Sequence, residues 1–369
     1  MRRLHLAHAL LPEGLRRNVS LTLDEEGTVL EVGRAEEALA LDGLALPGLV
    51  NAHAHIELSG TLVHGSSLIE WVSNLYRVDD RDTDAMQAAI EEAIAFGTAA
   101  IADVTNTGRP EPLLARSDLC GVVHREVLGI DEVGLPGLEL RPVEGFEVRV
   151  SPHAPYSTSP DRIVAAASEP GPKASIHLDE DPAERRFLHD GGGPWADFIR
   201  LIGRDLRVFE PPGCSPTEYL RRLGVLSELA LVHCVGATGD DLDAIATSGT
   251  TVVLCPRSNL HIGGGLPDVG GMIERGIPLA LGTDSLASVA DLDLLKEVRA
   301  LMQAFPEVHP EVWLQAATRE GAGLLDQPHL GVFEPGKRPG VVLVEGCARD
   351  LGGTGPIERR WLVRPGRVG

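Results

Sequence analysis

The sequence predicts an α/β chain: a (β/α)8, or TIM, barrel with a small β-sandwich-like domain built from both termini. Three observations carry this expectation. From Leu46 onward, short apolar runs alternate with stretches of helical spacing, the pattern of βα units and a parallel sheet. Eight such runs occur, the number that closes a barrel. The two ends of the chain read instead as short strands separated by turns.

At the N-terminus, Leu21-Thr22-Leu23 and Thr28 to Val32 flank the turn-like Asp24-Glu25-Glu26-Gly27. Barrel strands are expected at 48–52, 99–104, 122–127, 147–150, 174–177, 230–233, 251–254 and 278–281. Helical spacing is best over 83–96, 160–167, 217–223, 292–305 and 310–321, which fills most of the gaps. Residues 131–145 hold three glycines and two prolines, so the covering helix between strands three and four is expected to be short or absent. Gly331 to Lys337 opens a β-rich stretch through Val341-Val342-Leu343-Val344 that should pair with the N-terminal strands. The expected domains are therefore 1–46 plus 331–369 for the small β-unit and 47–330 for the barrel.

Composition narrows the function. The chain has 369 residues, 33 basic against 54 acidic, for a formal charge of -21. That balance disfavours nucleic acid, whose binding draws on Lys and Arg displacing counterions. Only three of the basic residues are lysines (Lys173, Lys296, Lys337). The five cysteines, Cys120, Cys214, Cys234, Cys255 and Cys347, never form a CxxC pair, which fits a reducing cytoplasm better than a disulfide framework. The apolar stretch after Met1 is broken by His5, His8, Pro12 and Glu13 and lacks a signal-peptide core. No apolar run reaches the roughly 18 residues of a membrane span. A small-molecule substrate is the partner this leaves.

The strongest chemical signal is His53-Ala54-His55, directly after the apolar run ending at Asn51. Residues two apart on a strand face one side, so both imidazoles can aim at one ion. His177, His233 and Asp284 each fall at the C-terminal end of an expected strand, where a barrel places its active site. Glu180 follows His177 by three residues, where a carboxylate can reach bound water without ligating a metal. A divalent cation lowers the pKa of its water from about 15.7 to about 7. Asp284 can take a proton from that water, Glu180 can pass one to a ring nitrogen, and His233 can stabilise the tetrahedral centre.

The order PGLVNAHAH, HAPYSTSP, HLDE, LVHC, CPRSN and LGTDS over residues 46–288 closely resembles the amidohydrolase superfamily, in particular its cytosine, guanine and adenosylhomocysteine deaminase (ATZ/TRZ-like) branch. The resemblance implies that His53, His55, His177 and Asp284 ligate one zinc or iron ion. It implies that His233 contacts the activated water or the substrate and that Glu180 is the proton shuttle of an HxxE motif. Binuclear relatives carry a lysine at the end of strand four, whereas here that strand reads Val148 to His153, so one metal is implied. Relatives are often homo-oligomers.

Ile56-Glu57-Leu58-Ser59-Gly60 resembles the wording of aminofutalosine deaminases of the alternative menaquinone pathway, which makes 6-amino-6-deoxyfutalosine the leading substrate. Adenosylhomocysteine, methylthioadenosine, adenosine, guanine and cytosine are its rivals. Glu57 is then a candidate for ribose hydroxyls, His153 and Ser157 for a ring or sugar hydroxyl, and Arg257 or Asn259 for a polar group. Arg125 or Arg257 would meet a carboxylated tail. The loop from Glu57 to Arg81 and the segment 131–145 are expected to remodel the pocket rim. Hydrolysis of a cyclic amide or a triazine is the competing reaction, which the HxxE carboxyl disfavours. A scaffold that has lost its metal would lack at least one of the six site positions, and none is lost. Nucleophilic Ser or Cys hydrolysis lacks a GxSxG elbow.

Overall fold

A computed structural model describes residues 1–36, 39–60, 63–65, 67–78 and 82–366 of the chain. The N-terminal strands are β1 (Arg2–Leu11), β2 (Gly14–Leu23), β3 (Val29–Arg34) and β4 (Leu41–Leu46). Eight parallel strands follow in two sheets of four. The first, in order, is β5 (Leu49–Ala54), β6 (Thr98–Thr105), β7 (Cys120–Val127) and β8 (Phe146–Pro152). The second holds β9 (Ala174–Leu178), β10 (Leu229–His233), β11 (Val252–Leu254) and β12 (Leu279–Leu281). These are the eight apolar runs of the sequence, with shifted ends. β6, TAAIADVT, is buried at every position, as expected of a parallel strand covered on both faces.

Two seams bring the half-barrels together, and both lie at the C-terminal ends of strands. His177 N–H donates to the His153 carbonyl at 2.8 Å, joining β9 to the end of β8. Asp284 N–H donates to the His53 carbonyl at 3.1 Å, and Ala54 and Asp284 form a parallel bridge. The second seam needs Gly282, because a Cβ there would stand 2.7 Å from the His53 carbonyl oxygen.

At the far end of the chain, β13 (Val341–Val344) pairs antiparallel with β4 and β14 (Arg359–Val363) pairs with β13. The six terminal strands make one sheet, ordered β14-β13-β4-β1-β2-β3, over a core that includes Leu6, Leu21, Val29, Phe333 and Leu343. It is moored to the barrel by the buried pair Arg359–Asp293 and by Trp361 Nε1 donating to the Ile94 carbonyl at 2.7 Å.

Helices form at Thr83–Ala95, Pro160–Ala167, Pro216–Arg222, Leu294–Ala304 and Pro310–Gln315, close to expectation. The last continues through a π turn at Ala316–Glu320. Helices at Leu68–Leu75, Pro182–Asp190, Pro194–Leu201, Gly239–Ser248, Pro256–Ile262 and Val269–Glu274 were not anticipated. Three of these begin on a proline, whose fixed φ suits the first helical residue, where no N–H is needed. Residues 131–145 carry no helix, as expected. No described helix is long and apolar enough to cross a membrane.

Candidate active site

β5 and its extension deliver His53 and His55 to one point, and β9 delivers His177. The ligand nitrogens of these three imidazoles lie within 4.8 Å of one another. His177 Nδ1 lies 3.0 Å from the His153 carbonyl, an oxygen that can only accept, so the proton sits on Nδ1 and Nε2 is bare. That bare Nε2 faces His55 Nε2 at 3.3 Å. His53 is fully buried, and neither of its ring nitrogens has a hydrogen-bond partner. Burial, reinforced by the neighbouring imidazoles, holds the pKa of His53 and His177 well below the ordinary 6.5, so both stay neutral with lone pairs available. Unpartnered buried nitrogens and two facing Nε2 atoms are what a bound cation would satisfy, so the residues fit a divalent metal.

Asp284 and Glu180 group with His233 beside this cluster. Asp284 Oδ1 is 3.8 Å from His55 Nε2, while its Oδ2 accepts from Ser258 Oγ at 2.5 Å. Glu180 Oε1 is 3.5 Å from His233 Nε2. Asn259 Nδ2 donates to His233 Nδ1 at 3.0 Å, which leaves the His233 proton on Nε2, pointing toward the site. Burial pushes the Glu180 carboxyl well above its ordinary range, and the charges of Asp284 and Asp181 add to this. The neutral, protonated form of Glu180 is thereby favoured, beside imidazoles that stay uncharged. Burial likewise lowers His233 to about 4.

The backbone is strained at these positions. Among the described residues six non-glycines have positive φ, and four of them, Asp179, His233, Cys234 and Asp284, lie at or just past strand ends around the site. A cavity of about 630 Å³ opens over them. Its lining includes His55, His153, His177, Glu180, His233 and Asp284, and most of the remaining lining residues are apolar or aromatic.

His153 and Ser157, expected at the substrate, do line this cavity, with His153 Nδ1 2.6 Å from Ser157 Oγ. Four other expectations need correction. Glu57 does not line the cavity. Its carboxylate accepts from Thr105 Oγ1 at 2.5 Å, Asn106 N at 2.9 Å and both Thr107 donors, and so shapes the loop after β6. Burial alone would raise its pKa, but these donors together hold it below the ordinary value. Arg257 is likewise absent from the wall, because Glu297 and Asp291 take its guanidinium at 2.6 and 2.8 Å. Arg125 pairs with Glu111 at 2.8 Å and also lies off the wall. Asn259 acts through His233 and does not line the cavity either.

Sequence reasoning missed Trp71, Tyr76, Asn106, Glu126, Trp195, Phe198 and Arg204, all on the wall. Trp71, Trp195 and Phe198 sit on the two unanticipated helices 68–75 and 194–201, so recognising Pro194 as a helix start would have raised the second pair. Glu126 accepts from Asn106 Nδ2 at 2.9 Å, and burial lifts its pKa to about 7. Of the rim loop Glu57–Arg81, residues 61, 62, 66 and 79–81 lie outside the described residues.

A family model described as the amidohydrolase family matches residues 44–358. An aminodeoxyfutalosine deaminase of Deinococcus radiodurans is 34% identical over 337 residues, which cover 83% of this chain and 78% of that protein. A 5-methylthioadenosine/S-adenosylhomocysteine deaminase of Desulforudis audaxviator is 30% identical over 371 residues, covering 86% and 79%. Helicobacter pylori aminofutalosine deaminase, crystallised with methylthio-coformycin, superposes with a TM-score of 0.79 at 20% identity over 100% of both chains, a likeness of fold.

Proposed function

The chain belongs to the amidohydrolase family and is a hydrolase of carbon–nitrogen bonds other than peptide bonds, and from that premise we propose that it deaminates the purine of an adenosine-like nucleoside, aminodeoxyfutalosine first. Methylthioadenosine and adenosylhomocysteine are the second reading, favoured by the 30% identical relative. The observation that carries the proposal is the placement of buried Glu180, 3.5 Å from His233 Nε2, in the same cavity lining as His55, His177 and Asp284 of the metal-donor cluster.

In this proposal His53, His55, His177 and Asp284 hold one divalent ion, zinc before iron, since imidazoles with one carboxylate suit zinc. When bound, the ion supplies the Lewis acidity that makes water a nucleophile near neutral pH. Glu180 gives its proton to the ring nitrogen beside the carbon under attack, because only a carboxyl that already holds a proton can do so. Asp284 takes a proton from the attacking water, and His233 donates from Nε2 to the oxygen on which charge develops. One water enters and one ammonia leaves, so the amidine becomes an amide.

The division into 1–46 plus 331–369 and 47–330, assembly as a homo-oligomer and residence in a reducing cytoplasm complete the proposal. No disulfide joins the cysteines among the described residues, which agrees with the last. The test is ammonia release by zinc-loaded protein from aminodeoxyfutalosine, methylthioadenosine, adenosylhomocysteine, adenosine, guanine and cytosine. Fast release from an adenosine-type nucleoside is expected, and silence across the panel with metal bound would overturn the proposal.

A further inference from the structure

We infer that Arg204 reads a carboxylate at the far end of the substrate and that Tyr76, Trp195 and Phe198 hold an aromatic ring between it and the reacting base, an inference that rests on the deaminase reading. Ring contacts lead from the imidazoles to these rings along the cavity lining: His177 stands 4.9 Å from His153, and His153 5.6 Å from Tyr156. Phe198 stands edge-to-face to Tyr76 at 5.4 Å and to Trp195 at 5.9 Å, and Trp195 stacks on Tyr156 at 3.9 Å. Such a wall favours another ring, through offset or edge-on contacts beyond simple burial.

Arg204 is the one Lys or Arg among the described cavity-lining residues. Its Nη1 donates to Asp131 Oδ1 at 3.2 Å and to Glu132, which anchors the guanidinium at one corner. Among the described residues no acceptor takes its Nε or Nη2, and the side chain is 38% exposed. Glu132 is shared with Arg162 Nη2 at 2.6 Å, so two guanidinia balance the two acids, Asp131 and Glu132. A fixed fork with free donors is the arrangement that binds a carboxylate in two-point fashion. Aminodeoxyfutalosine, with a carboxylated aromatic tail, matches ring and charge together. A methylthio tail offers neither.

The experiment compares kcat/KM for aminodeoxyfutalosine, methylthioadenosine and adenosylhomocysteine in the zinc-loaded wild type, Arg204→Met and Arg204→Lys, with thermal unfolding as the check on folding. Arg204→Met should lower the ratio of the first substrate to the second about tenfold or more through KM, the size of a lost charge-assisted hydrogen bond, and Arg204→Lys should recover part of it. An unchanged ratio in a folded variant would overturn the inference while leaving the deaminase reading intact. A ratio that falls for adenosylhomocysteine alone would overturn the aromatic tail. Silence of the wild type on all three would overturn the deaminase reading and this inference with it.

Discussion

At the scale of single residues, protonation state is set by what each group touches. Asn259 gives His233 its tautomer by donating to Nδ1. Asn259→Leu should therefore lower kcat about 10–100-fold with metal still bound, the usual cost of removing an orienting partner. A kcat equal to wild type would mean that something else orients His233. Glu57 makes the opposite point, since the same residue type that holds ribose in a nucleoside site is here spent on Thr105, Asn106 and Thr107. Glu57→Gln puts a donor among donors and should cost about 1–3 kcal/mol of stability, read as a lower Tm. A raised KM with an unchanged Tm would restore Glu57 to the ribose.

At the scale of elements, strand ends were legible because a buried parallel strand leaves a short apolar run, and His53, His177, His233 and Asp284 each close one. Helix starts were harder to read. Pro182, Pro194 and Pro256 look like breaks in a sequence yet occupy the first helical residue, so the wall carried by 194–201 was hidden. Arg257 was misassigned for a related reason: its partners Asp291 and Glu297 belong to a segment far along the chain, and no spacing reveals such a pairing. The β12–β5 seam yields a prediction of its own. Gly282→Ala would set a Cβ 2.7 Å from the His53 carbonyl oxygen and backbone must move to admit it. A loss of about 1–3 kcal/mol together with a lower metal content is expected. Calorimetry and metal analysis on one preparation check both, and wild-type values for each would contradict the close approach.

At the scale of the whole molecule, the site straddles both halves of the barrel. β5 and the residue after it in one sheet supply His53 and His55, while β9 and the segment just past β12 in the other sheet supply His177 and Asp284. An ion held by these donors would cross-link the half-sheets, so chelation should lower Tm and zinc should restore it. The stabilisation at about 1,000-fold excess over Kd is about 4 kcal/mol. A Tm indifferent to chelation would show that the donors hold no metal. The barrel and the metal donors were readable because four of the eight apolar runs repeat a simple rule, a His or Asp at or just past the strand end. The cavity rim was not, because its residues come from helices and loops brought together only by the closed fold.

The most direct test of the central claim is Glu180→Gln, assayed for bound zinc and for ammonia release from aminodeoxyfutalosine. One metal ion should be retained and turnover lowered by about 10²–10⁴-fold, the contribution of a positioned proton donor. Wild-type turnover in the metal-loaded variant would contradict it, since the proton would then have to come from another residue.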